Sequence, residues 1–325
     1  MKKITHLVFA GNALRTLCLG GILRYIYFYK MDNDIRNVSG TSMGAFFALA
    51  FALKIPIETL ESYLYDLCKQ KSLINFKPSS FINILNDYGL NSSIDYLSKF
   101  KEYVKEKYQQ DDMTFIELSK KTGVNLFVST TNINNGTNVM FNVNDTPNIS
   151  VFEAVAASMC VPILSKPVII DGFYYVDGYL TNNFPYEVFD NIDKNNILGV
   201  VIKVDNDYCF SEEYNKKNYE LSFQQYTFNL IYLIYLNSNK LVYLNKINEF
   251  KDPLIINKSP INSIYEPNID NECIDIGTSD ENINNLLLQG FTAMNEYMNK
   301  HNEQKEINLE DYEKTYSNKS EDLAL

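Results

Sequence analysis

The chain has 325 residues, enough for one large α/β domain or two smaller ones. Its 40 acidic residues against 29 lysines and arginines give a net charge of −11, which argues against nucleic acid as a partner and against strong electrostatic docking on anionic membranes. The five cysteines show no C-x-x-C spacing, so we expect reduced thiols rather than a disulfide framework or a zinc site.

Neither the amino-terminal segment nor any apolar run predicts export or membrane insertion. Residues 1–6 lead straight into a strand without the apolar core of a signal peptide. The longest near-continuous apolar run, residues 43–53, is too short to cross a bilayer. The sequence therefore predicts a soluble, cytoplasmic protein with no transmembrane segment, which could still act peripherally at a membrane surface.

The first fifty residues have the pattern of a parallel α/β sheet. A buried strand is expected over residues 7–10 and a helix over residues 17–29. Residues 34–39 then lead into a glycine-flanked turn, and residues 45–53 form an apolar helix directly after it. Strand, helix, strand, turn and helix in this order are typical of a parallel sheet covered by helices.

The later elements extend the same α/β pattern. We expect mostly helix over residues 57–121 with a loop near 77–80, strands at 125–131 and 138–143, an alanine-rich helix at 149–159, a hairpin at 168–176, a strand at 197–204, a polar loop at 205–220, and helices at 223–244 and 283–299. The sequence shows no internal repeat or linker. One domain is therefore predicted for residues 1–300, followed by an acidic, disordered tail at residues 301–325.

A serine between two glycines marks the most informative point in the chain. Gly40, Ser42 and Gly44 form a G-x-S-x-G motif at the junction of an apolar strand and an apolar helix. Flanking glycines let the chain turn sharply and leave the serine hydroxyl exposed, and the helix N-terminus offers free N–H groups to a developing oxyanion. This context predicts a nucleophile elbow with Ser42 as the nucleophile.

Neither histidine has a sequence position that suits it as the base for this serine. The chain has two histidines: His6 precedes the first strand's core, and His301 lies at a polar helix end. A carboxylate is the alternative. Asp171 is explained as the first residue of a hairpin turn, whereas Asp177 ends a strand beside Gly178 and is the better candidate for a base.

Several motifs in their order resemble the patatin-like phospholipase family. The chain has G-x-S-x-G after the second strand, then Ala157-Ser158 with Pro162 four residues later, a short hairpin, Asp177-Gly178, and Asn183-Phe184-Pro185. The resemblance extends over nearly all of residues 5–300. It implies a three-layer α/β/α sandwich with a largely parallel central sheet.

The resemblance also implies a mechanism. Ser42 would be the nucleophile and Asp177 its dyad partner, so that no histidine, metal or cofactor is needed. The oxyanion and substrate would be held at Gly11, Asn12, Ala13, Arg15 and Met43, with the Asn12 and Ala13 N–H groups as donors and Gly40, Gly44 and Gly178 as motif glycines. The substrate would be a phospholipid or a neutral acyl lipid, cleaved at its fatty-acyl ester.

Two departures from the family pattern leave a second interpretation open. The oxyanion loop has Asn12, Ala13 and Thr16 where the family has glycines, and Tyr179 replaces the glycine or alanine after Asp-Gly. Alanine tolerates positive φ poorly, so Ala13 could misaim the oxyanion donors. The alternatives are a catalytically weak or inactive protein that binds lipid or a protein partner, and a Ser-His-Asp esterase that uses His301. Whether a host factor activates the protein stays open.

Overall fold

The computed structural model describes residues 3–69, 74–75, 84, 86–202, 226, 230–231, 233–234, 240–250, 252–256, 268–269, 273–275 and 279–302. Its helices are α1 (Cys18–Phe28), α2 (Met43–Ala52), α3 (Ile57–Lys69), α4 (Ser98–Tyr108), α5 (Phe115–Thr122), α6 (Val151–Ser158), α7 (Lys240–Phe250) and α8 (Asp280–Asn302). Its strands are β1 (His6–Phe9), β2 (Asn37–Thr41), β3 (Ile74–Asn75), β4 (Gly89–Asn91), β5 (Asn125–Asn132), β6 (Thr137–Asn142), β7 (Ile163–Ser165), β8 (Val168–Ile170), β9 (Phe173–Asp177), β10 (Ile197–Ile202), β11 (Leu254–Ile256), β12 (Asn268–Ile269) and β13 (Cys273–Asp275).

The central sheet is mostly parallel, as the sequence predicts. Its strand order is β11-β10-β1-β2-β5-β9-β8, and β6 pairs with β5 as well. The pairs from β11 to β5 are parallel, whereas β6 and β9 run antiparallel to β5. The carboxyl ends of the five parallel strands therefore lie at one edge of the sheet, where ligands bind in open α/β folds.

Strand β5 brings β2 and β9 end to end along one of its edges. Because β6 occupies the other edge of β5, both β2 and β9 must pair on the same side. Thr41 at the end of β2 pairs with Ser129, and Asp177 at the end of β9 pairs with the next residue, Thr130. Since β9 is antiparallel to β5, the carboxyl ends of β2 and β9 point at each other.

Two buried clusters cover the two faces of the sheet. The larger one joins one sheet face to α1, α2, α3, α6 and α8. The smaller one contains Val8, Phe127 and Val201 from the other sheet face, packed with Phe184 and with Phe250 of α7. Helix α2 is buried on all sides from Gly44 to its end, in agreement with its uniformly apolar sequence. The fold is therefore a three-layer α/β/α sandwich.

The hairpin and the alanine-rich helix form as predicted. Asp171 and Gly172 join β8 to β9 with φ values of 50° and 81°, which is the pair of positive φ angles that a type I′ turn requires. Helix α6 begins at Val151 because the Ser150 side chain accepts hydrogen bonds from the first-turn N–H groups.

The structure differs from the sequence prediction in the short strands. Residues 57–121 include β3 and β4, and β4 pairs in parallel with β7; runs of two or three residues have too little periodicity to be found by pattern. The loop at 77–80, the loop at 205–220, most of the helix at 223–244 and the tail beyond residue 302 lie outside the described residues. No helix in the described part of the chain is long and apolar enough to cross a membrane.

Candidate active site

Ser42 occupies a sharp turn between β2 and α2. Its backbone has φ 54° and ψ −131°, a conformation that non-glycine residues adopt at a cost and that is characteristic of a nucleophile elbow. The two flanking glycines are required by close packing. A Cβ on Gly40 would lie 2.5 Å from the Gly44 carbonyl oxygen, and one on Gly44 would lie 2.3 Å from the Phe9 carbonyl oxygen. Both glycines therefore let the first turn of α2 rest on β1 and β2.

The Ser42 hydroxyl donates a hydrogen bond to Asp177. The distance from Oγ to Oδ2 is 2.8 Å, although 135 residues separate the two in sequence. Asp177 has no exposed surface and Ser42 is 8% exposed. The other carboxylate oxygen, Oδ1, accepts the Tyr179 N–H at 2.8 Å. The carboxylate is thus held by the turn that follows it and aimed at the serine.

Backbone bonds fix the position of Asp177 from both sides. Its N–H donates to the Cys160 carbonyl oxygen at 2.8 Å, and its carbonyl oxygen accepts the Thr131 hydroxyl at 2.9 Å. Gly178 follows it against β5, where an added Cβ would lie 2.2 Å from the Ser129 carbonyl oxygen. A glycine after this aspartate is therefore a packing requirement, and the Tyr179 backbone N–H that binds Oδ1 is one that any non-proline residue would supply.

Ser158 is a further residue of the site, and its role was not predicted although it belongs to one of the motifs. Its hydroxyl oxygen accepts the Ser42 N–H at 2.8 Å and donates to the Ser129 carbonyl oxygen at 2.6 Å. Ser158 is fully buried at the end of α6. It ties the elbow to β5, and the motif that contains it was the signal that could have identified this role.

The loop predicted to bind the oxyanion begins at Gly11, which Asn183 holds by two hydrogen bonds. The Gly11 N–H donates to Asn183 Oδ1 at 2.9 Å, and Asn183 Nδ2 donates to the Gly11 carbonyl oxygen at 3.0 Å. A Cβ on Gly11 would lie 2.6 Å from the Ser42 Cβ. Asn183 is 4% exposed. The segment that carries Asp177 therefore also fixes the loop that faces Ser42.

Asn12 and Ala13 follow Gly11 in this loop. The Asn12 N–H, expected to bind the oxyanion, donates to the Thr16 Oγ1 at 2.7 Å in this structure. Threonine at position 16 supplies this acceptor, which the glycine of the family pattern would not. Asn12 has φ −162°, and the positive φ falls on Ala13, at 43°. Ala13 therefore carries the strain expected of a non-glycine residue in this loop.

The other predicted oxyanion residues lie on either side of the elbow. Met43 is the first residue of α2, and the bonds at the start of this helix run from the Ala45 and Phe46 N–H groups to the Ser42 carbonyl oxygen. The Met43 N–H therefore has no acceptor within its own helix. Arg15 lies half-buried in the 3₁₀ helix Ala13–Leu17 that follows the loop.

Neither histidine is placed to act on Ser42. His6 lies near the start of β1, where its ring nitrogens contact Thr5 Oγ1 at 2.8 Å and Asn37 Nδ2 at 3.0 Å; burial lowers its pKa. His301 contacts Asp252 Oδ2 and the Tyr297 carbonyl oxygen at 2.6 Å each. The interpretation of His301 as the catalytic base is therefore wrong, because its imidazole is committed to the end of α8.

The Cys160 thiol lies near Asp177 but is unsuited to nucleophilic chemistry. Burial and the negative charge of Asp177 raise the pKa of the Cys160 thiol, so the thiol stays protonated. Cys18, Cys68 and Cys160 are buried free thiols. No group of three or more histidine, cysteine, aspartate or glutamate side chains that could hold a metal ion occurs among the residues that the structure describes.

The sequence of this chain matches a known protein family. A sequence model of the family described as patatin-like phospholipase matches residues 7–190, more than half of the chain. The chain belongs to the patatin-like phospholipase family. The matched region contains the elbow, Asp177 and Asn183.

Two viral proteins and one bacterial structure are similar to this patatin-like chain. Protein R571 of Acanthamoeba polyphaga mimivirus is 25% identical over 61% of this chain and 65% of its own length. The probable lipid hydrolase 463L of Invertebrate iridescent virus 6 is 27% identical over 58% of this chain and 63% of its own. The match therefore spans less than two thirds of either relative. VipD from Legionella pneumophila has the same fold, with a TM-score of 0.59 and 14% identity over 92% of this chain and 67% of VipD.

Proposed function

We propose that the protein is a lipid acyl hydrolase, which cleaves a fatty-acyl ester through Ser42, Asp177 and an acyl-enzyme. The observation that carries the proposal is the 2.8 Å hydrogen bond from Ser42 Oγ to the fully buried Asp177 carboxylate. A nucleophile and a base within hydrogen-bond reach, with the base oriented by a third group, meet the geometric requirement for nucleophilic catalysis. Here that third group is the Tyr179 N–H.

In the first half of the reaction, Ser42 Oγ attacks the ester carbonyl carbon and its proton passes to Asp177 Oδ2. The carbonyl oxygen becomes an oxyanion, for which the N–H groups of Ala13 and Met43 are the nearest donors by position in the loop and the elbow. Collapse of this intermediate breaks the bond to the alcohol, which leaves with the proton held on Asp177. The fatty acyl group stays on Ser42.

In the second half, water replaces the alcohol. Asp177 accepts a proton from the water as it attacks the acyl-enzyme, and it returns the proton to Ser42 Oγ when the fatty acid leaves. The Ser158 bridge keeps the elbow in place while the charge develops, since it binds the Ser42 N–H rather than the reacting hydroxyl. Each proton that Asp177 accepts is therefore released within the same half-reaction.

Family membership supports a lipid substrate for this site. The iridescent-virus relative is named a probable lipid hydrolase, and the family as a whole is described as patatin-like phospholipases. We extend this to a phospholipid or neutral acyl lipid as the substrate of the present chain. The proposed place of action is a membrane surface reached peripherally.

A second candidate is a patatin-fold protein that binds lipid with little or no turnover. The Asn12 N–H already has an acceptor in Thr16, and the loss of one oxyanion donor reduces rates by about 10²–10³-fold in well-studied enzymes. This candidate differs from the first only in turnover. It predicts lipid binding without hydrolysis.

Labelling with a fluorophosphonate probe tests the proposal. We expect the wild-type chain to react, and Ser42→Ala and Asp177→Asn to be unreactive because they lack the nucleophile and its base. Ser92→Ala is the matched control for the serine, since Ser92 directly precedes the 3₁₀ helix Ser93–Leu97 and its side chain makes no cap bond to that helix. Asp190→Asn is the control for the aspartate, because Asp190 is exposed.

Labelling is read together with hydrolysis of a soluble short-chain ester. Labelling and hydrolysis by the wild type and both controls, with neither in the two site variants, would support the proposal. Labelling that persists in Ser42→Ala would contradict it. A folded wild-type chain that neither labels nor hydrolyses would favour the second candidate.

A further inference from the structure

Three exposed apolar side chains and one half-buried tyrosine form a row at the carboxyl edge of the sheet, here called the apolar row: Tyr88, Ile133 and Ile169, with Tyr174 between them. Ile133, Ile169 and Tyr88 are 54%, 56% and 61% exposed. Isolated exposed apolar residues are common on protein surfaces and need no explanation, whereas a contiguous group of them is a sign of an interaction surface.

The strand register places these residues on one face of the sheet. Ile169 pairs directly with Tyr174 across β8 and β9. The Ile133 N–H donates to the Tyr174 carbonyl oxygen, which continues the register of β5 and β9 beyond Asn132. Directly paired residues share a face. The Tyr88 ring packs edge-on against the Tyr174 ring with centroids 6.3 Å apart, so the row is contiguous.

The apolar row lies on the same side of the molecule as Ser42. Strand β9 continues the line of β2 past its end, and Tyr174 is three residues before Asp177 on β9. At about 3.3 Å per residue, Tyr174 stands roughly 10 Å beyond the dyad along the strand direction. The hairpin therefore extends beyond the carboxyl end of β2, the end of the strand at which Ser42 lies.

The charge around the row indicates what kind of surface it can contact. The nearby cation, Lys166, is neutralised by Asp87 with an Nζ–Oδ2 distance of 2.6 Å. The hairpin turn adds one carboxylate, Asp171, and the chain as a whole carries −11. An anionic surface would be repelled by the net negative charge, because this hairpin has no cationic patch that could attract it. The row is therefore suited to an electrically neutral surface.

We propose that the apolar row docks the protein on electrically neutral lipid surfaces, such as zwitterionic phosphatidylcholine, and sets the edge of the sheet at which Ser42 lies against the lipid. The inference rests on the proposed function for the choice of lipid as the occupant. It goes beyond that function by naming the residues that meet the surface and the headgroup charge they accept. Side chains of this kind insert at the boundary between headgroups and acyl chains.

A single introduced tryptophan reports docking directly, because the chain contains no tryptophan. Ile169→Trp should shift its emission to shorter wavelength when phosphatidylcholine vesicles are added, since the indole would leave water for the lipid boundary. Phe28→Trp is the matched control: Phe28 is 70% exposed but ends α1, at the edge of the sheet where β2 begins. No shift at position 169, or an equal shift at both positions, would overturn the proposal.

Co-sedimentation with vesicles gives the affinity. Ile133→Ser combined with Ile169→Ser should weaken binding to phosphatidylcholine vesicles by roughly 10-fold per side chain, about 100-fold together. Phe28→Ser combined with Ile255→Ser, on the far edge strand β11, removes two exposed apolar side chains elsewhere and should change binding less than about 2-fold. Equal loss in both double variants, or tighter binding to phosphatidylserine than to phosphatidylcholine, would overturn the inference.

Hydrolysis of a soluble ester separates this inference from the proposed function. The apolar-row variants should hydrolyse a soluble short-chain ester at the wild-type rate and lose hydrolysis of vesicle lipid alone. If the wild type hydrolyses no ester but binds vesicles through the row, the proposed function fails and the docking surface stands. If hydrolysis of vesicle lipid is unchanged in the row variants, the docking surface fails and the proposed function stands.

Discussion

Replacing Asn183 by leucine should disable the oxyanion loop without unfolding the protein. Leucine is close to asparagine in size, but it cannot form the two hydrogen bonds to Gly11 at 2.9 and 3.0 Å. A buried N–H and a buried carbonyl oxygen would then lack partners, at about 1–3 kcal/mol each, so we expect a loss of about 2–6 kcal/mol in the free energy of unfolding. A domain near the middle of the usual range of stability, about 5–15 kcal/mol, remains folded after such a loss.

The same change should lower kcat more than it raises KM. Gly11 begins the loop that faces Ser42, and a displacement of about 1 Å at such a position can reduce rates about 100-fold. Unfolding in urea gives the stability change, and hydrolysis of a soluble ester gives kcat and KM. We therefore expect Asn183→Leu to be folded at room temperature and to turn over about 100 times more slowly than the wild type.

Asn142→Leu is the matched control for Asn183→Leu. Asn142 is also buried, at 3% exposed, and its side-chain oxygen accepts the Asn144 and Asp145 N–H groups at 2.8 and 3.0 Å. It is the last residue of β6 and lies away from the elbow. The control should lose comparable stability and keep its kcat. If Asn183→Leu lowers kcat no more than Asn142→Leu, or leaves the free energy of unfolding unchanged, the reasoning about the loop is refuted.

Three further changes test the backbone of the site and the buried histidine. Ala13→Gly should raise the free energy of unfolding by about 0.5 kcal/mol, because relief of the positive φ exceeds the entropy that glycine adds to the unfolded chain. Gly178→Ala should cost about 3 kcal/mol or more and abolish hydrolysis, since its Cβ would meet the Ser129 carbonyl oxygen. Gly136→Ala, with open space around it, should cost about 1 kcal/mol. Burial lowers the pKa of His6 below 6.5, so the unfolded chain binds the proton more readily and His6 should destabilise the fold as pH falls below 6.5; His6→Gln should lose that part of the pH dependence.

The stabilities of these variants, including the control Gly136→Ala, are measured by urea unfolding. Ester hydrolysis is measured as well for Gly178→Ala. A lower midpoint for Ala13→Gly would show that the loop depends on the alanine side chain. Equal costs at positions 178 and 136 would show that β5 can move away from an added methyl group. For the histidine, the difference between wild type and His6→Gln is followed from pH 8 to pH 5, and an identical pH dependence of the two chains would contradict the assignment.

The elements with strong local signals were predictable from the sequence. The apolar strands, the helix after Ser42 and the turn at Asp171-Gly172 each depend on a few neighbouring residues, and the structure has them within a few residues of the expected bounds. The parallel sheet followed from the order of these elements, and the three-layer arrangement followed from the resemblance to the patatin-like family. Short strands such as β4 and β7 were missed, because their pairing depends on distant partners rather than on their own residues.

The sequence predicted the motifs of the candidate site but not the hydrogen bonds that join them. Ser42 and Asp177 were named from the sequence, and the structure brings them together; their catalytic roles stay a proposal. The clamp of Asn183 on Gly11 and the bond from the Asn12 N–H to Thr16 were not predicted. Both join a side chain to a backbone group whose direction is set by the loop's φ angles, which residue types alone do not determine.

The end-to-end meeting of β2 and β9 on β5 has a consequence for synthesis of the protein. The sheet from β1 to β5 and the elbow can be assembled once the ribosome has released about 130 residues, but the partner of Ser42 arrives 135 residues after it. A nascent chain with its first strands paired would thus carry a serine without a base. If the protein degrades lipid as proposed, the order of synthesis keeps it inert until the hairpin of β8 and β9 has joined the sheet.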